Sequence, residues 1–589
     1  MEKPLLRNDI LIRRKFNSYL IPGVVMVVAM QLGNIVDCIF VSRWIDLDGL
    51  TAISLSMPVL LVMQVIGMTF GGGCAAMISN LLGKRELEKA SELFSASILA
   101  VLGLSLIFTV LAPFTAGPIS RFLTPSPVLA ELLEQYLFLF MLLIPFLNIC
   151  ILFSNVVSVD NNPKLGAYCF IIANVVNLLT EYIFLNYTSL GMRGAALSTI
   201  IGYATGLIMV VPYIRSPRRM LQPSLGKARN GARELVRVLR AGAPQASLFG
   251  MRILQFFILN TMIQSALGPD YLSIYAVCLN AVTIVRLFID GVVGLIQTVA
   301  GVLYGEKDYY GIRALVKRTA ITTAGLVVML TAFFLAFPQA LLTLFSFNKQ
   351  DIYDVALSCV RLYSLSFAFF AANRLTQVYY QATLFTFLST MDTMLQGFIW
   401  LVPVVALLMR FMGIQGVCLA VAVAEALTFI TVWVYRSIRQ RQGKLPQKGF
   451  LMIPDREGSV LCDVSISSTE GDAIRVSEQL IACCLENGVP KRQANAVGVA
   501  AEELAVNIAR YGYRRDNPCA IDICLSMTDQ SLILRLRDDG VPFNPTEYQR
   551  EEAETFAVGG IELIRRVAGK MSYARVLNMN NTIIEVYTA

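Results

Sequence analysis

Polar breaks are short and widely spaced through most of this chain. Apolar runs of about 18 residues or more recur as far as Trp433, each long enough to cross a bilayer as a helix. The pattern predicts six spans near 17–43, 50–82, 92–113, 131–159, 165–187 and 192–214, and six more near 243–267, 271–303, 319–345, 355–381, 389–409 and 413–435. Between the two sets lies the longest strongly basic break, RSPRRMLQPSLGKARNGARELVRVLR, residues 215–240. The flanking blocks echo each other: Pro22 and Pro244, Gly72 and Gly294, Gly83 and Gly305, Gly191 and Gly413, Gly194 and Gly416, and Leu197 and Leu419 are each 222 positions apart. One offset kept across six helices marks an internal duplication. With an even number of spans per repeat, the repeats are parallel, related by an axis along the membrane normal, and leave a central cavity between two lobes.

The period changes after about Gln442. QGKLPQKG is a linker by composition, and 455–589 has the size of one soluble domain. Residues 459–466 alternate as a strand, and 473–487 and 490–511 read as helices. Residues 519–527 and 531–538 are strands joined at Thr528-Asp529-Gln530; 559–569 is a helix; 571–577 and 582–588 form a last strand pair. The predicted architecture is therefore twelve transmembrane helices in two six-helix repeats, followed by a soluble α+β two-layer sandwich. The divisions are 1–214 (first lobe), 215–240 (basic connector), 241–436 (second lobe), 437–454 (linker) and 455–589 (tail).

Composition strengthens the membrane reading. Hydrophobic residues make up 56% and charged residues 15%, against about a quarter charged in soluble domains. The net charge of +8 collects beside helix ends. Lys3, Arg7, Arg13, Arg14 and Lys15 precede the first span; Lys84, Arg85 and Lys89, the connector, and Lys307, Arg313, Lys317 and Arg318 follow even-numbered ones. That bias predicts a multi-pass protein of the bacterial inner (plasma) membrane, in contact with membrane lipid, with both termini cytoplasmic and no nucleic-acid role. The twelve Cys show no metal-ligand spacing, and the chain has no His, which removes the commonest general base and zinc ligand.

Ionisable residues inside spans are the first candidates for chemistry. Asp37, in GNIVDCIF, reads either as a proton or cation site or as a carboxylate reaching interfacial water. Glu181 and Glu425 are the next carboxylates, and Arg252, Arg286, Arg361 and Arg374 lie in second-half spans. Arg286 and Asp290 are four apart, so they share a helix face and could pair, or the second lobe could line its cavity with cations. Asn174 and Asn177 either bridge helices or line the cavity.

FNSYLIPGVV, NIVDCIFVSRW, GKRELEKA, SVDNNPKL, ANVVNLLTEYIF, and GMRGAALSTIIG with its echo GIQGVCLAVAVAE occur in order. Through these, residues 10–436 resemble the MATE family of multidrug and toxic-compound extrusion transporters. The resemblance implies antiport of organic cations or similar small organic substrates, driven by H+ or Na+, with Asp37 matching an acid used in coupling. The family's second-half acid has no counterpart in span 7, which offers Arg252 and Gln255 instead. This departure leaves an anionic or zwitterionic substrate open.

In the tail, AAEELAVNIARYGY places Glu503 and Asn507 on one helix face. The amide oxygen can ligate Mg2+, and the carboxylate can polarise an attacking hydroxyl or water. RLRDDGVPFNP then ends a strand at Asp538, able to accept from an adenine amino group, beside Gly540. VGGIELIRR opens a helix at Gly559 and Gly560, where free N–H groups suit phosphate. These motifs resemble the GHKL-type ATPase fold, in particular bacterial anti-sigma-factor serine kinases. The resemblance implies ATP and Mg2+ as cofactors, Glu503 as catalytic base, Asn507 as metal ligand, Asp538 and Gly540 at adenine, Gly559 and Gly560 at phosphate, and an anti-sigma-antagonist-like protein partner. The phosphate loop departs from the family, with adjacent rather than spaced glycines and the acidic stretch NPTEYQREEAETF before them. Arg550, Arg565 and Arg566 are the cations in reach. The functional expectation is an efflux antiporter with an ATP-binding regulatory tail; the alternative is a membrane sensor whose tail is a serine/threonine kinase.

Overall fold

The computed structural model describes residues 5–44, 47–216, 219–344, 350–445, 449–453, 460–467, 470–513, 520–548 and 559–587. The chain divides into two compact units. The larger comprises Ser18–Asp308 and Leu315–Gln442; the smaller comprises Met1–Asn17, Tyr309–Ala314 and Gly443–Ala589.

The larger unit is helical. Ten helices among the described residues are long and apolar enough to cross a membrane. Prolines and glycines set several breaks. Helix Met192–Ile208 stops before Val211–Arg215, where Pro212 opens a new turn. Helix Tyr309–Ala336 gives way to Pro338–Leu344 in the same manner. The 56-residue apolar stretch Thr386–Arg441 contains a π-helical turn at Leu395–Ile399 and non-helical backbone at Gly413, where the sequence pattern separates two spans.

The duplication is visible in the backbone. Gly413 has φ 56° and ψ −135°, and its equivalent Gly191 has φ 48° and ψ −128°. Residues with a Cβ are strained there, so the repeated glycine marks a repeated bend. The turns after Gly83 and Gly305 also match. Arg85 (φ 63°) and Lys307 (φ 58°) occupy the left-handed region, and N–H groups of Glu86 and Asp308 each donate over 2.9 Å, to Leu81 and Leu303.

The repeats pack through helix Leu47–Gly83, which lies against both Leu235–Leu267 and Pro269–Gly305. Small residues allow the approach: a side chain on Gly73 would strike the Val238 carbonyl and come within 2.8 Å of the Gly242 nitrogen. Side-chain amides tie the contact. Asn80 donates to the Ala382 carbonyl (2.8 Å), Gln297 to Gly72 (2.7 Å) and Gln381 to Ala241 (2.9 Å). Within the SVDNNPKL motif, Asp160 anchors the start of the connector, accepting from the Tyr213 hydroxyl and from the Met220 (3.1 Å) and Leu221 (3.3 Å) N–H groups. The connector is helical at Leu225–Gly231 and again from Leu235.

The smaller unit is built on a five-stranded antiparallel sheet. Its strands are β1 (Val460–Ser467), β2 (Ala520–Met527), β3 (Ser531–Asp538), β4 (Lys570–Val576) and β5 (Met579–Tyr587), in the order β1-β2-β3-β5-β4. Helices Glu470–Glu486, Lys491–Tyr511 and Gly559–Val567 complete the fold. Val476, Leu480, Val497, Ala501 and Leu504 share the core with Ile523, Leu534 and Ile584. Burial of that apolar face holds helix and sheet together.

The N-terminal segment belongs to this unit. The Ser465 N–H of β1 donates to the Leu6 carbonyl (3.3 Å), and the Asn8 N–H to the Ser465 hydroxyl (3.1 Å). Leu5 exchanges two hydrogen bonds with the Gln479 amide. Arg7 sits between Asp463 (2.9 Å) and Asp522 (2.7 Å), with Tyr310 at 5.7 Å from its guanidinium. Arg14 pairs with Asp539 at 3.0 Å, and Lys15 donates to the Asn578 carbonyl.

Candidate functional site

The amphipathic helix Lys491–Tyr511 buries Leu504 and Ala505 and turns Asn507, Ile508 and Tyr511 toward a cavity of about 270 Å3. Val541, Pro542, Phe543, Tyr548 and Ile561 give it apolar walls, and Asp538, Asn580 and Thr582 bring polar atoms from the ends of β3 and β5. An apolar slot with few polar groups suits a flat heterocycle that must be oriented.

Asp538 is fixed at its base. One carboxylate oxygen accepts from the Gly540 N–H and from the Asn580 amide, both at 2.9 Å. The Asn580 oxygen in turn accepts from Arg575 (2.7 Å) and the Tyr573 hydroxyl (2.8 Å), so its NH2 must face Asp538 and the Val541 carbonyl. Burial pushes the Asp538 carboxyl up to about 6, the two hydrogen bonds opposing the rise. A side chain at Gly540 would strike the Gly512 carbonyl and come within 2.9 Å of Asp538. Only glycine lets this turn close beneath the pocket.

Asn507 has a buried amide nitrogen with no hydrogen-bond partner among the described residues. A polar group left open in a pocket wall costs free energy until a ligand fills it. Glu503, one turn earlier, packs its carboxylate where a Gly560 side chain would stand, at the start of helix Gly559–Val567. The structure thus brings Glu503, Asn507, Asp538, Gly540 and Gly560 to one side of the sandwich. The donor set fits a nucleotide: the open Asn507 NH2 can donate to a ligand oxygen while its side-chain oxygen can ligate Mg2+, Asp538 can accept from an amino group, and a helix start suits phosphate.

Sequence reasoning missed Asn580, Tyr573 and Arg575, which lie on the last strand pair without a motif. Arg565 is committed elsewhere than to phosphate. Its guanidinium donates to the carbonyls of Pro545 (2.9 Å), Thr546 (3.1 Å) and Tyr548 (2.7 Å) and so shapes the pocket's rim. Arg550, Glu551, Glu552 and Glu554 lie outside the described residues, as does the Arg566 side chain.

In the membrane unit, Asp37 lies on helix Ile10–Trp44, and its side chain is outside the described residues. Asn174 donates to the Ala29 carbonyl, and Asn177 to Ser198 (3.4 Å) and Thr199 (3.2 Å), so both tie helix Pro163–Tyr187 to neighbours. Glu181 is fully buried on the same helix. Glu425 accepts from Asn373 and Gln396, each at 2.7 Å. Arg286 and Asp290 do not pair. Asp290 turns instead to Arg374 on helix Ser366–Ala382, at 2.6 Å, because the guanidinium across the helix contact reaches it more directly than a neighbour on its own turn. Asp392 passed unnoticed in the sequence, yet it is buried and neither oxygen has a hydrogen-bond partner among the described residues.

These two sites belong to two protein classes: a duplicated helical membrane transporter and a nucleotide-binding sandwich. The chain belongs to the MatE family, whose pattern matches residues 22–183 and 248–395, more than half of the sequence. Residues 466–586 match the histidine kinase-like ATPase domain, which implies ATP binding. Among curated relatives, multidrug export protein MepA of Staphylococcus aureus is 23% identical over 398 residues, 67% of this chain and 86% of that protein. The Staphylococcus haemolyticus MepA is 22% identical over 401 residues, again 67% of this chain and 86% of the relative. The MATE multidrug transporter DinF-BH superposes with a TM-score of 0.68 at 22% identity, over 75% of this chain and 99% of that one. A MOP superfamily transporter from Pyrococcus furiosus, described as having a binding pocket of reverse polarity, gives 0.68 at 17% identity, over 74% of this chain and 98% of that one. The molecule is a multi-pass membrane transporter of this family with a kinase-like ATPase domain at its C-terminal end.

Proposed function

We propose that this chain exports small organic compounds by secondary antiport, driven by H+ or Na+, and that its tail binds ATP with Mg2+ and regulates export. It sits in the bacterial inner membrane with both termini cytoplasmic. Asp37 carries the coupling ion. Asn507 would hold the metal, which would supply positive charge at the nucleotide phosphates. Asp538 accepts from the nucleobase amino group, Gly540 allows the close approach, and Gly559 and Gly560 give backbone N–H groups to phosphate. The observation that carries this reading is the open Asn507 amide facing a pocket with an anchored Asp538, in a chain of the MatE family.

The test uses the full-length protein. Titration with Mg·ATP in detergent should show binding that Asn507→Ala removes. Export of a reporter dye from cells should be lost in Asp37→Asn and retained, without nucleotide dependence, in Asn507→Ala. No binding to the folded wild type would sink the nucleotide reading, and full export by Asp37→Asn would sink the coupling role.

A second reading is a sensor whose tail phosphorylates an anti-sigma-antagonist-like protein. The placement of Glu503 against Gly560, one turn from Asn507, supports it. Glu503 would take the proton of the attacking hydroxyl. Glu503→Gln should then keep nucleotide binding and abolish phosphate transfer.

A further inference from the structure

The second lobe holds a small cavity of about 30 Å3 whose polar lining is dominated by two guanidiniums, Arg252 and Arg286. Arg252 comes from helix Leu235–Leu267 and Arg286 from Pro269–Gly305. Gln255, Tyr363, Thr393, Gln396 and Glu425 complete the polar lining. The Nε atom of each arginine is buried without a hydrogen-bond partner, and neither makes an ion pair among the described residues. Their neighbours are aromatic: Arg252 lies 5.8 Å from the Phe249 ring centre and Arg286 4.8 Å from that of Phe370.

The carboxylates of this lobe answer that charge only in part: Glu425, in the same lining, offsets one of the two guanidiniums and leaves the other. Asp290 is held by Arg374, and both oxygens of Glu425 are taken by the Asn373 and Gln396 amides. Asp392 is buried outside the cavity lining. Two guanidiniums facing one pocket within an apolar bundle repel each other and have lost hydration, a cost that an anion between them would offset. The guanidinium fork matches planar oxyanions in particular, and aromatic faces suit a flat body attached to one. A space of this size holds about two waters, the room needed by a carboxylate head group and not by a whole drug.

We infer that Arg252 and Arg286 form an anion site, and that the transported compound carries a carboxylate held by both guanidiniums, with the Gln255 and Gln396 amides beside it. The inference rests on the export reading for its role as a substrate site; the binding itself does not.

The experiment titrates the purified full-length protein with benzoate and with benzyltrimethylammonium, at constant chloride, following melting temperature and heat of binding. Benzoate should bind and stabilise the wild type. Arg252→Gln and Arg286→Gln should each weaken it about tenfold or more, since each removes hydrogen bonds to a charge, while Arg252→Lys should restore part of the loss. Stabilisation by the cation alone, or equal benzoate binding in wild type and both glutamine variants, would overturn the site. If the glutamine variants fail to fold, failure of benzoate to bind the wild type overturns it as well. Export of carboxyfluorescein against rhodamine in cells separates the two layers. Benzoate binding without export of either dye leaves the anion site standing and removes the export reading. Asp37-dependent export without benzoate binding does the reverse.

Discussion

Gly83 and Gly305 are equivalent positions of the two repeats, and they touch each other. A methyl group on Gly83 would come within 2.9 Å of the Gly305 Cα, and one on Gly305 within 3.0 Å of the Gly83 Cα. The relation is reciprocal, as the duplication of the two repeats requires of equivalent positions that meet. Each also closes against a carbonyl of the other repeat, Val302 for Gly83 and Asn80 for Gly305. Gly83→Val and Gly305→Val should therefore prop the lobes apart with similar effect. The expected cost is about 1–3 kcal/mol in each case, read as a lower melting temperature in detergent together with reduced export. A valine tolerated at both positions would contradict the contact.

Nucleotide binding should depend on pH through Asp538. Its carboxyl is raised to about 6 by burial, so below that pH it takes up a proton and becomes a poorer acceptor for an amino group. Affinity for ATP should fall by up to about tenfold per pH unit below this value, and Asp538→Asn should bind weakly with no such step. For the fold the sign is opposite. A raised carboxyl favours the folded state most fully below its unfolded value of about 3.9, and that contribution is lost as pH rises through about 6. Denaturation across this window, compared with Asp538→Asn, isolates the group.

Arg7→Ala should be costly for a residue so near the start of the chain. Its side chain is 5% exposed and faces Asp463 and Asp522, the latter 3% exposed. Removing it takes the nearer guanidinium from Asp522, which keeps the longer Arg537 contact at 3.4 Å and the Ser465 hydroxyl at 2.7 Å. Loss of one partner of a buried pair costs about 3–5 kcal/mol. The melting transition of the smaller unit should drop accordingly, with little dependence on salt.

Asn580→Ala tests the support beneath the proposed nucleobase site. It removes the amide that fixes Asp538 and leaves Arg575 and Tyr573 without their shared acceptor. ATP affinity should fall by about tenfold, the worth of a hydrogen bond to a charged group. Calorimetry on the intact protein would read it, and unchanged affinity would show that Asp538 orients itself.

Features that recur along the chain were readable in advance. The repeated offset foretold the matching bends at Gly191 and Gly413, since one residue type at one offset carries one backbone requirement. Glu503, Asn507 and Asp538 stand out in the sequence because their chemistry is dense and local, and the structure sets Asn507 and Asp538 on one pocket. Partners from distant segments were not. Arg286 and Asp290 share a helix face, but spacing says nothing of Arg374 on the next helix. Asn580 is an ordinary strand residue until β5 pairs with β3. Arg7 and Arg14 fit an orientation signal, and nothing in their spacing announced that Asp522 and Asp539 lie opposite them.

The N-terminal residues also decide how this molecule can be cut. A fragment starting near residue 443 would carry every residue of the proposed nucleotide site, yet it would lack Leu6 on the outer edge of β1 and the N-terminal guanidiniums that face Asp463, Asp522 and Asp539. Such a fragment would expose an unpaired strand edge, a template for self-association, and would leave these acids without their N-terminal partners. A minimal soluble version should splice residues 5–15 ahead of the tail, and a purification tag is safer at the other terminus.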